Sequence, residues 1–543
     1  MSVALSFLGG LGEVGRNCTA LEVEGRLALI DCGLMFPEEG MLGVDLVLPD
    51  FSSVLERRGD LECVLLTHGH EDHVGALAYL LAEAPVPVYG TALTVELARS
   101  RLEEAGLTAD LRPVATGEWV QHGPFRFMLI PVAHSIPQGT GIALDTPEGL
   151  VVHSSDFKLD PTPVDGVPTD LATFAALGRQ GVRLLLADST NAEEPGFIAS
   201  EASLARPLYE LVVESRGRVI AACFASHLHR VQQIVEAAAD AGRYVAFQGR
   251  SMQRNVAIGE RLGAIKLPAD VVIPMEEVLT HPAEKTAVIC TGSQGEPFAA
   301  LSLMAAGDHR WVKIEEGDTV LISARPIPGN ETRMSRVING LLRLGARVFH
   351  GNNAPIHVSG HGAQDELRTF LNVVRPQAFI PVHGEYRHLS AHAGLARQAG
   401  VPEVLVCEDG DRVVLDGAET RVERRAVPGR LVFVDGLEVD GGGGVIRDRR
   451  RLGEEGVIVV VVGVDAATGQ VVQGPDVESH GFVGEPAPLL AQAAAEVSTE
   501  LRSLEGKPPN LETMRQHVRA AVNRVTREEK SRKAVVIPIV LEV

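Results

Sequence analysis

The first two hundred residues alternate between short apolar runs and polar breaks. Gly, Pro or Asp bound these runs, which predicts a series of strands: VALSFLG, CTALEVEG, RLALIDCG, CVLLTHG, VPVYG, FRFMLIPVAH, TGIALDT, GLVVHSSDF and RLLLADST. Several of these strands finish on a polar side chain, namely Asp31, Thr67, His134, Asp156 and Asp188. Layered α/β proteins assemble sites from groups at strand ends, so the pattern predicts an α/β fold with a site on one sheet edge.

At about residue 201 the pattern becomes a regular alternation of helix and strand, which continues to about residue 345. SLARPLYELVVESRG and HRVQQIVEAAADAG have helical periodicity, and RVIAACFAS, RYVAFQG, AVICTGSQ and TVLISARPIP read as parallel strands. HVSGHG and FIPVHGEYRH then resume the histidine-rich pattern of the first part. We therefore predict one domain at residues 1–200 and 346–425, split by an inserted α/β domain at 201–345.

The character of the chain changes again after residue 425. The Gly-rich, charged run DGLEVDGGGGVIRDRRRLGEEG predicts a turn-rich linker over residues 426–454. Two strand-like runs, two helical runs and a final apolar run follow, and they predict a small C-terminal α/β domain at residues 455–543.

Composition and charge narrow the class of protein. A chain of 543 residues is too long for a single core. The formal net charge of −21 by itself disfavours nucleic acid as a partner, although a deep groove can be locally positive inside an acidic protein. The six cysteines are scattered, which predicts reduced thiols and leaves nitrogen and oxygen as metal ligands. Without a membrane-spanning run or a signal peptide pattern, the sequence predicts a cytoplasmic protein.

The densest cluster of chemistry is HGHEDH, which supplies His68, His70, Asp72 and His73. On a turn that leaves a strand and enters a helix, the first two histidines converge on one point, and the Asp–His pair converges on a second point nearby. Imidazole nitrogen and carboxylate oxygen suit Zn²⁺ or Mn²⁺ in a catalytic, open site. The alternative is an ordinary polar loop with surface histidines. Four ligand-type residues at this spacing disfavour that alternative.

Two metal ions need more ligands than this motif provides. His134 is a candidate third ligand for the first ion, and His383 in IPVHGE could complete the second. Asp156 could bridge both ions, because a carboxylate has two oxygens. Each assignment is weak alone, since a histidine at a strand end more often makes an ordinary hydrogen bond. Asp31 is better placed to hold a ligand imidazole by its other nitrogen.

The order of these residues resembles the metallo-β-lactamase superfamily. LLADSTNA with Asp188, HVSGHG with His357 and His361, and IPVHGE resemble the additional motifs of its β-CASP nucleases. FLGGLGEVGRNC, GVDLVLPDF and ASHLHRVQQ are similar to the ribonuclease J family, closely over residues 1–440 and loosely beyond. The resemblance implies a metallo-β-lactamase αββα sandwich with an inserted β-CASP α/β domain and a small C-terminal α/β domain.

The resemblance also implies an activity. Two divalent cations, Zn²⁺ or Mn²⁺, would be held by the seven candidate ligands His68, His70, Asp72, His73, His134, Asp156 and His383, and would activate water for attack on phosphorus. His361 or His357 would protonate the leaving 3′ oxygen, and Asp188 would orient that histidine. The expected activity is 5′→3′ exonuclease and endonuclease cleavage of single-stranded RNA, in RNA maturation and decay. The expected products carry a 5′-phosphate and a 3′-hydroxyl.

In the ribonuclease J family a pocket for a 5′-monophosphate lies near the metal ions. Two stretches match its position, the first with Ser226, His227, Leu228, His229 and Arg230, the second with His357, Val358, Ser359, Gly360 and His361. Hydroxyl, backbone N–H, imidazole and guanidinium groups are the donors that a phosphate needs. Further arginines could line an RNA channel, although an ordinary surface charge is the more frequent role for each: Arg250, Arg254, Arg325, Arg333 and Arg336.

Other implications of the resemblance are weaker. A structural Ca²⁺ site near Asp45 is uncertain, because Glu438 and Asp440 stand where relatives have glycine-like positions. The C-terminal domain would support a homodimer or a tetramer, and partners from the RNA-decay machinery are possible.

Three other functions were considered. A metallohydrolase of a small thioester or lactam would explain HGHEDH but neither the inserted domain nor HVSGHG. A non-catalytic RNA-binding relative is disfavoured because every expected ligand is present. GLGEVG at residues 10–15 fits the G-x-G-x-x-G pattern of dinucleotide-binding proteins, but strand-like runs follow it instead of the helix that such a site requires.

Overall fold

The structure is a computed structural model that describes residues 3–38, 40–268, 270–296, 298–327, 329–436, 438–440, 444–481, 487–504, 510–530 and 534–543. The described residues fall into two compact units. One contains the residues up to 440 apart from 40–44, and the other contains residues 40–44 and those from 444 onward.

Two facing sheets form the centre of the first unit. The eight-stranded sheet has the spatial order Glu419–Glu423, Arg412–Asp416, Val3–Gly9, Cys18–Val23, Arg26–Ile30, Leu61–Leu65, Val88–Gly90 and Leu111–Pro113. The seven-stranded sheet has the order Glu403–Val404, Ala378–Val382, Val182–Asp188, Gly149–His153, Thr140–Thr146, Phe125–Pro131 and Trp119–His122. Apolar side chains from both sheets, including Phe7, Leu65, Phe127 and Leu186, form one buried core between them.

Helices cover the outer faces of both sheets. Against the first sheet pack Ser52–Leu55, Leu77–Glu83 and Ala92–Glu104, and against the second pack Leu171–Gln180, Gln364–Val374 and Tyr386–Gln398. Each outer face carries its own apolar cluster, because every strand in the middle of these sheets is buried on both sides. The result is the αββα sandwich that the resemblance implied.

A third sheet is built from residues between two neighbouring strands of the sandwich. Val182–Asp188 and Ala378–Val382 pair in parallel, with Leu184 opposite Ala378. The intervening chain forms an all-parallel sheet in the order Tyr244–Gln248, Thr286–Cys290, Val219–Ala222, Thr319–Ile322 and Arg347–His350. Its helices are Ala205–Glu214, Leu228–Asp240, Arg250–Arg261, Ala300–Ala306 and Glu331–Arg343. The exact domain boundaries of the sequence analysis remain predictions.

The segment 426–454 differs from the turn-rich linker that its composition predicts. Val432–Asp435 pairs with Glu438–Asp440 and with Leu46–Leu48, and Gly444–Glu455 is a helix. Composition concealed the strand because LVFV is a short apolar run inside a Gly-rich stretch, and its pairing partner is distant in sequence.

The second unit contains a three-stranded sheet and two long helices. The strands have the order Val471–His480, Val457–Val464 and Val535–Glu542, and the helices are Ala487–Arg502 and Leu511–Lys530. Ile458, Val460 and Val462 pack against apolar side chains of both helices. In neither unit does a described helix have the length and apolar character needed to cross a membrane. All six cysteines are buried and free, as predicted.

Candidate metal centre and phosphate pocket

The HGHEDH motif follows strand Leu61–Leu65 and continues into the short helix Glu71–Val74, with His70 at the helix N-cap. Thr140 donates from its backbone N–H and its hydroxyl to the carbonyl of Thr67, which ties the motif to the second sheet. His134, Asp156 and His383 follow strands of that second sheet. The candidate ligands therefore come from the facing edges of both sheets.

Three imidazoles and one carboxylate converge on a first point. His68 Nε2 lies 3.1 Å from His70 Nδ1, and His134 Nε2 lies 3.2 Å from the same atom. Asp156 Oδ2 lies 3.6 Å from His68 Nε2 and 3.7 Å from His134 Nε2. Ring nitrogens at these separations suit a shared cation, because all of them can present a lone pair to one ion of the size of Zn²⁺ or Mn²⁺.

A second group shares Asp156 with the first. Asp72, His73 and His383 complete it, with His73 Nε2 3.3 Å from Asp156 Oδ2 and 3.5 Å from Asp72 Oδ2. His383 Nε2 lies 3.4 Å from Asp72 Oδ2, and this buried nitrogen has no hydrogen-bond partner. The donor set again fits a divalent cation. The structure thus brings all seven predicted ligands into two adjoining groups.

Three of the five ligand histidines are oriented through a contact on the far side of the ring. His73 Nδ1 donates to Asp31 Oδ2 at 2.7 Å, and His134 Nδ1 donates to the carbonyl of Gly360 at 2.8 Å. Thr67 Oγ1 donates to Asp31 Oδ2 and is thus left to accept from His68 Nδ1 at 3.0 Å. These contacts fix the tautomers that direct Nε2 lone pairs into the groups. Asp31 lies where the sequence analysis placed it, behind a ligand imidazole.

The histidine pKa values shift in opposite directions in the two groups of candidate ligands. Burial lowers the pKa of His68 and His134 well below the usual value and that of His70 to about 4. These rings are therefore neutral at pH 7, which is the form that binds a metal ion. Burial also opposes charge on His383, but Asp156 and Asp72 raise its pKa to about 10. The carboxylates of the second group thus draw positive charge into it, as they would draw a cation.

Asp188 and His361 stand beside these groups. His361 Nδ1 donates to Asp188 Oδ2 at 2.8 Å. Burial opposes protonation of His361, but the Asp188 carboxylate raises its pKa above the usual value. Asp188, His361, Asp156 and His383 form a third group that is close enough to hold an ion. The geometry therefore provides an oriented, readily protonated imidazole next to the metal groups.

One cavity of about 280 Å³ contains the metal groups and a set of phosphate donors. Its lining includes Ser226, His227, Arg325 and the whole stretch His357–His361. Buried Nδ1 of His357 has no hydrogen-bond partner, whereas Nε2 of His227 lies 3.7 Å from the Glu201 carboxylate. Ser359 Oγ accepts from Asn191 Nδ2 and from the N–H of His361, which leaves its own O–H free to donate. Unsatisfied donors of this kind fit a phosphate group.

The structure does not bring the rest of the 226–230 stretch to this cavity. Leu228, His229 and Arg230 belong to helix Leu228–Asp240, and all three are buried. The guanidinium of Arg230 is occupied by Glu201, Gln233, Ser323 and the carbonyl of Ile356. Their predicted place in the phosphate pocket is therefore corrected: none of the three lines the cavity, and Arg230 supports the pocket wall from behind, with four of its five guanidinium N–H groups already bound.

Four family models match the chain along its length. The metallo-beta-lactamase superfamily matches residues 11–187, the ribonuclease J beta-CASP domain residues 216–341, the Zn-dependent metallo-hydrolase RNA specificity domain residues 352–406, and the ribonuclease J C-terminal domain residues 444–543. A ribonuclease J of Mycobacterium tuberculosis is 41% identical over 540 residues, which cover 99% of this chain and 96% of that protein. The chain belongs to the ribonuclease J family.

Other members of the ribonuclease J family are similar over the same length. Ribonuclease J2 of Bacillus subtilis is 38% identical over 100% of this chain and 99% of its own, and ribonuclease J of Thermus thermophilus is 39% identical over 98% and 94%. A crystal structure of a protein of unknown function from Enterococcus faecalis covers 76% of this chain and 100% of its own with a TM-score of 0.55. At 16% identity that likeness supports the fold alone.

Two polar residues of this ribonuclease J site were missed by the sequence analysis. Asn17 Nδ2 lies 3.1 Å from His73 Nε2 and 3.4 Å from Asp72 Oδ2. Asn191 Nδ2 donates to Ser359 Oγ and to the carbonyl of His361, both at 2.8 Å. Both residues lie inside the motifs GLGEVGRNC and LLADSTNA, so the signal was their place in a family motif and not any spacing of their own.

The remaining sequence predictions have different outcomes. Strand Cys18–Val23, and not a helix, follows GLGEVG, so the rejection of a dinucleotide site is confirmed. Val14 and Gly15 of this motif line the active-site cavity. Asp45 Oδ2 accepts from the N–H of Gly436, and among the described residues the Asp45 region is not one of the groups that could hold an ion. The structural Ca²⁺ site stays a prediction.

Proposed function

We propose that this protein is a two-metal ribonuclease that degrades single-stranded RNA from the 5′ end, prefers a 5′-monophosphate, and also cleaves internally. Membership of the ribonuclease J family makes it a metal-dependent ribonuclease, a hydrolase. The single observation that carries the finer proposal is the shared cavity, whose lining includes both residues of the metal groups and free phosphate donors. A 5′-phosphate held by those donors would set the register of the bond presented to the metal groups.

The side chains divide the chemistry among themselves. His68, His70 and His134 would hold one divalent cation, Asp72, His73 and His383 the other, and Asp156 would bridge them. When bound, Zn²⁺ or Mn²⁺ would supply Lewis acidity, which makes water acidic enough to ionise near pH 7 and neutralises charge on the phosphodiester. Asn17 and Asp31 would keep the ligands in place, through Asp72 and His73 respectively.

His361 is the better of the two candidate acids. Its Nδ1–H is bound by Asp188, so Nε2–H is the proton available to the cavity, and the Asp188 carboxylate raises the pKa of the ring, which favours its protonated form. Burial instead lowers the pKa of His357 to about 3, which keeps that ring neutral. His361 would therefore protonate the leaving 3′ oxygen, and His357 would donate a hydrogen bond to the 5′-phosphate. The products would be a 5′-phosphate and a 3′-hydroxyl.

The test compares RNAs that differ only in their 5′ end. Purified protein should release nucleotides from 5′-monophosphorylated single-stranded RNA faster than from 5′-hydroxyl or 5′-triphosphorylated RNA. EDTA should abolish the activity, and Mn²⁺ or Zn²⁺ should restore it. If RNA stays intact while a thioester or lactam is hydrolysed, the alternative of a small-substrate metallohydrolase is correct. Equal rates on all three 5′ ends would contradict the phosphate pocket alone.

We also propose a homodimer, or a tetramer built from it, through the C-terminal sheet. One face of that sheet packs on its helices, whereas Ile537, Ile539 and Leu541 on the other face are 43%, 38% and 52% exposed. An apolar strand face of this kind is typical of a surface that a partner covers. A second copy is the occupant that this proposal names. A cytoplasmic location is proposed as well, because all six thiols are free.

A further inference from the structure

A second cavity of about 650 Å³ lies outside the proposed active site. It is lined by the first turn of helix Arg250–Arg261, by Thr291 and Phe298 from the loop after strand Thr286–Cys290, and by His309. On the opposite side it is bounded by Arg101 and Glu104 of helix Ala92–Glu104. No residue lines both cavities, so this space is distinct from the metal groups and the phosphate pocket.

His309 points to a ligand in this cavity. Its Nδ1 accepts from the backbone N–H of Val312 at 3.0 Å and of Trp311 at 3.3 Å. The ring must therefore carry its proton on Nε2, and that donor has no partner among the residues that the structure describes. The side chain is only 3% exposed, yet it lines the cavity. A mostly buried imidazole with a free N–H donor on the wall of a cavity fits an acceptor brought by a ligand.

The helix beside His309 presents the complementary donors. Gly249 at its N-cap has a φ of 111° and provides no side-chain cap, and the first turn contains no acidic residue. A Cβ at Gly249 would lie 2.9 Å from Thr291 Oγ1, so the close approach of the two loops requires glycine there. Arg250 makes no ion pair or hydrogen bond with any residue that the structure describes. Free first-turn N–H groups with an unpaired guanidinium suit a phosphate group.

Phe298 provides a surface of a different kind. Its ring lines the same cavity, and the side chain is 91% exposed, which is the highest value among the large apolar side chains of the described residues. An aromatic ring held in solvent beside phosphate donors is the arrangement that proteins use to stack an unpaired base. A phosphate site and a stacking ring together describe a nucleotide unit better than a free inorganic anion.

Two contacts connect this cavity to the active-site cavity. Arg101, on the wall of the second cavity, forms an ion pair with Glu71, which lines the first. The loop that carries Phe298 is anchored by Gln294, whose amide donates to the carbonyl of Arg325 at 2.9 Å and accepts from the N–H of Ile327 at 2.7 Å. Arg325 and Ile327 also line the first cavity. The walls of the two cavities therefore adjoin each other.

We propose that the second cavity binds one nucleotide of single-stranded RNA outside the active site, with its base on Phe298 and its phosphate at the N-terminus of helix Arg250–Arg261. The proposal rests on the proposed function, because it takes RNA as the substrate. Such a subsite would strengthen binding of RNAs long enough to reach both cavities and would leave short RNAs unaffected. It would also offset the net charge of −21, which repels RNA from the surface at large.

The test measures binding without cleavage. Binding of a 5′-monophosphorylated RNA of about 20 nucleotides, and of one of about 4 nucleotides, is followed by fluorescence anisotropy in EDTA. Phe298→Ala should weaken binding of the long RNA by about tenfold, which is the size of one lost base–aromatic contact. Arg250→Glu should weaken it by at least as much, because it places a carboxylate beside the phosphate. Both variants should leave binding of the short RNA unchanged. The matched control is Arg343→Glu, at an exposed arginine on helix Glu331–Arg343 of the same domain. Thermal unfolding checks that each variant is folded.

A cross-linking experiment locates the base directly. Long RNA with 4-thiouridine at successive positions should cross-link to the peptide that contains Phe298 from one position, and Phe298→Ala should remove that adduct. Unchanged long-RNA binding in both variants, or equal loss for long and short RNA, would overturn the subsite. The subsite would also be overturned if the variants bound UMP or inorganic phosphate more weakly but bound long RNA as well as the wild type does. Wild-type protein that binds long RNA but never cleaves it would contradict the proposed function and leave this inference standing.

Discussion

The tautomer of each histidine decides whether the metal groups can form. His73 directs Nε2 towards Asp156 and Asp72 because Asp31 binds its Nδ1–H, and Asp31 also accepts from the N–H and hydroxyl of Thr67. Asp31 has a φ of 60°, in the left-handed region that non-glycine residues rarely adopt. A strained backbone at a buried carboxylate is expected where function requires that side chain in one place.

Asp31→Asn should therefore weaken metal binding without removing a ligand. The amide carries no charge and turns one hydrogen-bond acceptor into a donor that faces Thr67. Loss of such a supporting contact typically costs about 10–100-fold in metal affinity. Metal content after dialysis against graded Zn²⁺ or Mn²⁺ measures the effect. Asp416→Asn, at an exposed aspartate of the first sheet, is the control. Unchanged affinity in Asp31→Asn would contradict the role given to this residue.

His361→Ala separates an acid from a metal ligand. If His361 protonates the leaving oxygen, its loss should lower kcat by about 10²–10⁴-fold and leave both KM and metal content unchanged. Asp188→Asn should lower kcat less, because the imidazole remains. His480→Ala, at an exposed histidine of the C-terminal sheet, should behave as wild type. A drop in metal content of His361→Ala would instead make it a ligand, as its membership of the third group allows.

At the scale of elements, the apolar patterns predicted the strands of the two sheets well because such patterns are local, whereas the sandwich itself was implied only by the family resemblance. Strand ends placed His134, Asp156 and Asp188 on one edge, and the structure has them there. Helix Leu228–Asp240 was harder, because its motif contains two histidines and an arginine that read as phosphate ligands. Only tertiary contacts show that Arg230 is enclosed by Glu201 and Ser323. Sequence indicates which groups carry chemistry, but the direction of a side chain on a helix depends on packing.

A buried charged cluster joins distant elements of the first unit. Arg16 is 1% exposed and donates to Glu13, Asp409 and the carbonyls of Leu48 and Arg430. Asp409 also accepts from the N–H of Leu11. The short strand Leu11–Gly12 pairs with Gly384 and Glu385, which directly follow the candidate ligand His383. Burial, together with the nearby Glu13 carboxylate, raises the pKa of Asp409 to about 8. The cluster therefore binds a proton more tightly in the folded state than in the unfolded chain.

Asp409→Asn tests this cluster through the pH dependence of stability. Because the folded-state pKa of about 8 lies above the unfolded value near 3.8, the contribution of Asp409 is fully present below pH 3.8 and is lost as pH rises through about 8. The difference in unfolding free energy between wild type and Asp409→Asn should therefore fall between pH 5 and pH 9. Urea unfolding at several pH values measures it. Asp416→Asn should show no such trend, and a difference that rose with pH would contradict the assignment.

At the scale of the whole molecule, an acidic protein has to hold a polyanion. Two features of the structure would reduce repulsion between the protein and RNA. Hydrogen-bond donors are concentrated in cavities. Surface carboxylates are neutralised in ion pairs such as Arg101–Glu104, Arg254–Glu104 and Arg261–Glu96. Two of these pairs also join helix Ala92–Glu104 to helix Arg250–Arg261, one from the sandwich and one from the inserted sheet. These ion pairs hold the two helices together at the interface along which RNA would bind, and their neutralised carboxylates do not repel the RNA.

Assembly is the last property that can be tested at this scale. Val459 pairs with Ile537 and Val461 with Ile539, and both valines are half-buried, so the apolar face of the C-terminal sheet extends across two strands. If a second copy covers this face, Ile539→Glu places a carboxylate in a dry interface and should convert the oligomer to monomer in sedimentation experiments, with little change in the unfolding of the sandwich. Gln492→Glu adds the same charge on the exposed side of helix Ala487–Arg502 and should leave the mass of the oligomer unchanged.

RNA degradation by Ile539→Glu, or by a chain that lacks residues 455–543, should then fall because assembly is lost. A fully active monomer would show that the C-terminal unit serves another purpose.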